Sequence, residues 1–103
     1  MSELRNYPRL PSPTGAFLAW QSAKQKFVSY LGDLCMGGLF IRATNPPSPG
    51  TYIQVLMDTP SGEIRARAVV CSARPKIGMG VKFVAMHPED RARLGGWIKA
   101  LST

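Results

Sequence analysis

The sequence predicts a mainly β domain, either a closed barrel or a sandwich, with one helix at its C-terminal end. Three observations lead there. Short apolar or alternating runs recur between residues 16 and 84, separated by Gly- and Pro-rich turn signals. No helical pattern lies between these runs, so parallel crossovers are not expected. Only from Pro88 onward does the apolar spacing become helical.

The elements follow in chain order. Residues 1–13 read as a tail, because Pro8, Pro11 and Pro13 oppose a helix and push their neighbours to extended backbone. Ala16–Trp20 and Phe27–Leu31 are the first two strand candidates, the second ending at the turn former Gly32-Asp33. Gly37-Gly38 signals a turn or bulge before the strand Leu39–Arg42. Asn45–Gly50, with three prolines, is a loop, and Thr51–Met57 a strand. Thr59-Pro60-Ser61-Gly62 reads as a turn. Glu63–Ser72 alternates, with Ile64, Ala66, Ala68 and Val70 on one face and Arg65, Arg67 and Val69 on the other. Arg74–Gly78 is a loop and Gly80–Val84 the last strand.

The C-terminal helix opens with Pro88, Glu89 and Asp90, a proline and two acids suited to a first turn. Leu94, Trp97, Ile98 and Leu101 then form one apolar stripe. Gly95-Gly96 weakens this helix by roughly 1 kcal/mol per glycine relative to alanine, so it should depend on docking against the barrel. Trp97 is read as a packing residue.

Length and composition bound the function. At 103 residues and 45% apolar, the chain is one domain able to bury a core without staples. No apolar run approaches the ~20 residues that cross a bilayer, and residues 1–5 carry no apolar signal region. A cytoplasmic location without membrane insertion is expected. Cys35 and Cys71, the two cysteines, are expected to be reduced. Thirteen Lys and Arg against six Asp and Glu leave a formal charge of +7, a field that draws anions without choosing among them.

Catalysis has little support. The single histidine, His87, sits before Pro88 as a helix cap or surface residue. Cys35, Cys71 and His87 lack metal-ligand spacing. No phosphate loop is present, and Gly78-Met79-Gly80 lies between strands rather than before a helix.

Two constellations remain. Arg5 and Arg9 lie four apart in the proline-bound tail, ~13 Å apart if fully extended at ~3.3 Å per residue. Each offers a planar fork that fits phosphate or the O6/N7 edge of guanine. Taken alone, they equally describe a solvated basic tail. The second constellation is Asp33-Leu34-Cys35-Met36-Gly37-Gly38. An ionised Asp33 accepts from donors such as guanine N1–H and N2–H₂, while the glycines permit close backbone approach. Taken alone, this is also a Gly-rich turn closing a strand pair.

The ordered pair, R-x-x-x-R at Arg5 and Arg9 followed by a D-x-S-x-x-G-like segment at Asp33, Cys35 and Gly38, resembles the PilZ domain family. Gly78–Val84 and Pro88–Leu94 resemble its C-terminal part, so the likeness spans roughly residues 4–101. It implies a six-stranded antiparallel β-barrel of the split-barrel, PilZ-like type, with a C-terminal α-helix and an extended N-terminal tail. It implies residues 1–13 as a flexible ligand-clamping tail and 14–103 as the barrel domain, with the helix over about 88–101. It also implies binding of cyclic di-GMP. Arg5 and Arg9 would hold phosphates and guanines, Asp33 and Cys35 would meet a guanine edge, and Gly38 would supply backbone geometry. Cys35 departs from the family's serine, and a thiol bonds more weakly than a hydroxyl.

The expectation is therefore a non-enzymatic receptor or adaptor, without cofactor, that binds cyclic di-GMP and passes the signal to an unidentified effector protein. It would act as a monomer or weak homodimer. One alternative is a PilZ-like scaffold that binds only proteins. A third reading, less favoured, is a basic barrel that stacks single-stranded nucleic acid on Phe17, Trp20, Phe27 and Tyr30.

Overall fold

A computed structural model describes residues 10–11 and 16–101. Arg5, Arg9 and most of the expected tail lie outside the described residues. The elements are β1 (Leu10–Pro11), β2 (Phe17–Ser22), β3 (Gln25–Cys35), β4 (Gly38–Arg42), β5 (Tyr52–Thr59), β6 (Gly62–Arg74), β7 (Gly78–Met86) and α1 (Pro88–Leu101). The strands follow the order β1-β3-β2-β5-β6-β7-β4, and β4 pairs back onto β3. Every pairing is antiparallel. β2 to β7 thus form the closed six-stranded antiparallel barrel read from the sequence, with the helix at its C-terminal end. β1 is a two-residue addition beside β3.

Inward positions follow the period of two. Ile53, Val55 and Met57 of β5 and Ile64, Ala66, Ala68 and Val70 of β6 are all buried, while Arg65 and Arg67 face out. Closure requires the strands to bend. β3 and β4 shift register between Leu31 and Leu34, and β6 and β7 shift twice, at Arg67/Ala68 and Val70/Ser72. Each bulge adds local twist that helps the sheet curl on itself. Gly78 marks the tightest seam. Its φ is +155°, and a Cβ there would collide with the Ile41 carbonyl oxygen and the Phe40 ring.

α1 covers one end of the barrel. Leu94 is fully buried and Trp97 nearly so. The His87 imidazole Nδ1 accepts the Glu89 N–H at 3.3 Å, capping the helix start. Arg93 ties the helix to the turn between β5 and β6. It donates through Nε to the Ser61 carbonyl at 3.1 Å and through Nη1 to the Glu63 carbonyl at 2.8 Å. Asp90 holds the same guanidinium at 3.2 Å. These bonds give the glycine-weakened helix the docking it needs.

Candidate functional site

The second strand does not stop at Gly32-Asp33, as the turn signal suggested. β3 continues to Cys35, and Gly32-Asp33 forms part of the bulge between Leu31 and Leu34. The Phe40 side chain explains why a glycine stands there: a Cβ on residue 32 would lie 2.9 Å from the Phe40 ring. Cys35 then pairs with Gly38 across the two-residue turn Met36-Gly37. The turn is fastened from a third strand, since Phe83 N–H donates to the Gly37 carbonyl at 2.9 Å.

The three described candidate residues are thus brought onto one short segment at the α1 end of the barrel, but with different exposures. Asp33 is half-buried. Its carboxylate meets no hydrogen-bond or ion-pair partner among the described residues. Cys35 is buried, at 2% exposure, and Gly38 is also buried. Asp33 is therefore the side chain of the three that is open to a ligand.

The outer neighbour of this segment is β1. Leu10 is the register partner of Leu34, and Pro11 that of Asp33. Arg9 is bonded directly to Leu10, although it falls outside the described residues, as does Arg5. A further cation was missed from the sequence. Lys82 on β7 is the register partner of Gly38. Its signal was the single basic residue inside the run Gly80-Val81-Lys82-Phe83, but register alone makes it a neighbour of the turn.

Other surfaces differ in character. A groove of 740 Å³ on the outer face of β2, β5 and β6 is lined by Lys26, Arg65, Arg67, His87 and Asp90 over an apolar floor that includes Ala19 and Leu56. A second groove, of 490 Å³, opens between β3 and the chain that follows β4. Asp33, Cys35 and Gly38 line neither. The four candidate stacking aromatics divide. Trp20 is buried, stacks on Phe27 at 4.2 Å and donates from Nε1 to Ser29 Oγ at 2.9 Å. Phe17 and Tyr30 are exposed and meet edge to face at 5.8 Å. Among the described residues, no group of three His, Cys, Asp or Glu side chains is placed to hold a metal. Cys35 and Cys71 are both free thiols.

Comparison with known proteins accords with this geometry. The PilZ domain of YcgR from Escherichia coli, solved with c-di-GMP, superposes with a TM-score of 0.77 at 17% identity, over 95% of this chain and 91% of that one. The PilZ domain of CeSA from a cellulose synthesizing bacterium gives 0.72 at 16%, over 93% and 99%. The K. pneumonia MrkH–c-di-GMP complex gives 0.76 at 16% over 98% of this chain, which spans 52% of the MrkH chain. At such identities the likeness speaks for the fold. No curated protein sequence matches the chain. The sequence model of the PilZ domain, however, matches residues 3–100. That match takes in both arginines, the Asp33–Gly38 segment and most of the helix, and the chain belongs to the PilZ domain family.

Proposed function

We propose that this chain is a non-enzymatic cyclic di-GMP receptor, in which Arg5 and Arg9 clamp the nucleotide against Asp33, Cys35 and Gly38. One observation carries the reading. Leu10 and Pro11, which follow the arginine motif in the chain, pair with Leu34 and Asp33 of the second motif. The residue joined to Leu10 is Arg9, so the arginine motif leads straight onto the strand edge that carries the open Asp33 carboxylate. The solved relatives with c-di-GMP support the same ligand by kinship.

The chemistry suits the ligand. Arginine pairs two-pronged with phosphate or with guanine O6/N7, and an ionised Asp33 accepts the guanine's N1–H and N2–H₂. The formal charge of +7 favours encounter with a dianion. Because Cys35 is buried, its effect on affinity comes through the packing and backbone of the turn as much as through its thiol. Ordering the tail over the barrel costs ~1–2 kcal/mol per residue. Charge-assisted hydrogen bonds return ~1.5–3 kcal/mol each, so two arginines offset the ordering of a few residues. The ordered tail then presents a new surface, which couples nucleotide level to an effector protein. No helix among the described residues is long and apolar enough to cross a membrane, and a cytoplasmic receptor for a soluble nucleotide fits that.

Isothermal titration with cyclic di-GMP tests the proposal and reports whether one nucleotide or a stacked pair binds. Arg9→Ala and Asp33→Ala should each remove most of the binding heat. Unchanged heat in both variants would refute the site, and no heat with the native chain would leave the protein-only scaffold as the better reading. Trypsin should cut near Arg5 and Arg9 more slowly when cyclic di-GMP is present, and equal rates would refute the clamp.

A further inference from the structure

The two halves of β3 have different neighbours. β4 pairs with β3 only at Leu31, Leu34 and Cys35. Beyond Ile41 the chain stays with β7 instead: Ala43 N–H donates to the Ile77 carbonyl at 3.4 Å, and Lys76 N–H to the Thr44 carbonyl at 2.8 Å. β3 and β4 therefore splay apart, and the 490 Å³ groove is the opening between them. The first half of β3, from Gln25 to Tyr30, is paired with β2 on one side only.

The ladder decides which main-chain groups face the opening. Leu31 N–H donates to the Ala16 carbonyl at 3.0 Å, so position 31 bonds toward β2. In an antiparallel pair the bonding positions alternate. Ser29 and Phe27 also bond toward β2, while Tyr30, Val28 and Lys26 turn their N–H and C=O groups to the groove. The Tyr30 carbonyl accepts from the Arg42 N–H through the Leu31–Ile41 register, and among the described residues nothing pairs with the Tyr30 N–H or with the main-chain groups of Val28 and Lys26. The edge is also apolar where it is most open, with Val28 73% and Tyr30 60% exposed. An exposed apolar strand edge is a template for another strand.

We propose that this edge is a docking site for an extended, acid-bearing peptide segment of a partner protein, which adds to the barrel as a strand beside Lys26–Tyr30. Main-chain bonds to both groups of Val28 and to the Tyr30 N–H supply the pairing, as in other cases of strand addition. Charge selects the occupant. Arg42 and Lys76 line the groove, Lys26 lies on the strand itself, and no Asp or Glu lines it. A second copy of the chain fits poorly. Residues 42–45 and 76–77 line the groove beside the edge, so the edge does not stand clear of its own barrel as edge-to-edge pairing of two barrels would need. Antiparallel self-pairing about Val28 would also bring two chains of +7 together. The surface lies apart from Asp33–Gly38 and requires no nucleotide.

The test uses the full ¹⁵N-labelled chain and three short peptides: four Glu-Val repeats, the same peptide N-methylated at alternate amides, and four Lys-Val repeats. The plain Glu-Val peptide should bind saturably, shift the amide signals of Val28 and Tyr30, and slow their exchange roughly tenfold. Val28→Pro removes an N–H that faces the groove and leaves the bonds to β2 in place. It should weaken binding by roughly tenfold or more. Arg42→Glu with Lys76→Glu, both exposed positions, should do the same and provides a second route should Val28→Pro unfold on near-UV circular dichroism. Any of four results would overturn the proposal: no binding, equal binding of the N-methylated or Lys-Val peptide, full binding by both variants, or a native dimer in sedimentation that Val28→Pro abolishes. Cyclic di-GMP titrated into the same sample reads the Asp33 site separately, so failure of either proposal leaves the other standing.

Discussion

The two ends of this barrel are finished differently. At one end α1 lies across the opening, with Leu94 buried in the core and Arg93 bonded to the Ser61 and Glu63 carbonyls. The Asp33–Gly38 turn sits at this end, and Met36 packs near Gly95 of the helix. Among the described residues no helix reaches the other end. The barrel finishes in the loop over residues 43–51, the turn around Lys76 and the half-paired start of β3. The contrast separates two requirements of a small barrel. A preorganised turn needs neighbours that hold its backbone, and these come from β1, β7 and α1. A strand edge open to a partner must lack such neighbours, and one helix can cover only one end of a barrel.

Four substitutions break or sharpen this contrast. Leu94→Ala should have the largest effect, because a fully buried leucine in a closed core costs about 2–5 kcal/mol when truncated. The melting temperature should fall by at least about 10 °C for a domain of this size. A loss below about 1 kcal/mol in urea unfolding would mean that α1 is not the anchor of its end. Gly78→Ala comes next, at roughly 1–3 kcal/mol, because the left-handed φ and the Ile41 carbonyl leave no room for a methyl group. Gly78 belongs to the open end, so a large effect would show that the β4–β7 seam is rigid there and that only the β3 edge is loose.

Arg93→Ala should cost about 1 kcal/mol, discounted because its guanidinium is partly exposed. The loss should appear in hydrogen exchange as faster opening of α1 and of the turn between β5 and β6. Uniform acceleration over the whole barrel would instead indicate that the helix and barrel open together. Val28→Thr should change stability by less than about 0.5 kcal/mol, since Val28 is the most exposed of the large apolar side chains described and its main chain is unpaired on the side away from β2. A clear loss of stability in chemical unfolding would place an unrecognised contact on that edge.

Some of this was readable from residue order because it depends on local chemistry. The alternation Ile64, Ala66, Ala68, Val70 determines which face of β6 turns inward in any sheet that buries one side. Pro88 with Glu89 and Asp90 starts a helix by its own first-turn chemistry, and Leu94 and Trp97 were marked as its packing face by spacing alone. The succession of Arg5 and Arg9, then Asp33, Cys35 and Gly38, was likewise visible as a pattern of residue types in order. It led to the family that the match over residues 3–100 establishes.

What the sequence misstated was Gly32-Asp33. A glycine followed by an aspartate usually ends a strand, but here the glycine accommodates the Phe40 ring and the chain continues as a bulge. Phe40 is only eight residues away, but its ring reaches Gly32 through the shifted β3–β4 register, which no local pattern specifies. The same holds for Lys82, which neighbours Gly38 only through the β4–β7 register, and for β1, whose two residues gain strand character by lying along Asp33 and Leu34. The free edge of β3 was the least readable feature of all. Lys26, Val28 and Tyr30 look like any alternating strand. On the side away from β2, among the described residues, Lys26 and Val28 have no strand partner and Tyr30 pairs only through its carbonyl, because β4 follows β7 away from them, at the seam where Gly78 lets the two backbones approach. By itself the sequence determined the strands, the helix, the inward faces and the order of the candidate motifs, since periodicity and turn chemistry act over a few residues. Only the tertiary structure decided which strand edges meet and which stay open, because closing a barrel makes each edge's pairing depend on all the others.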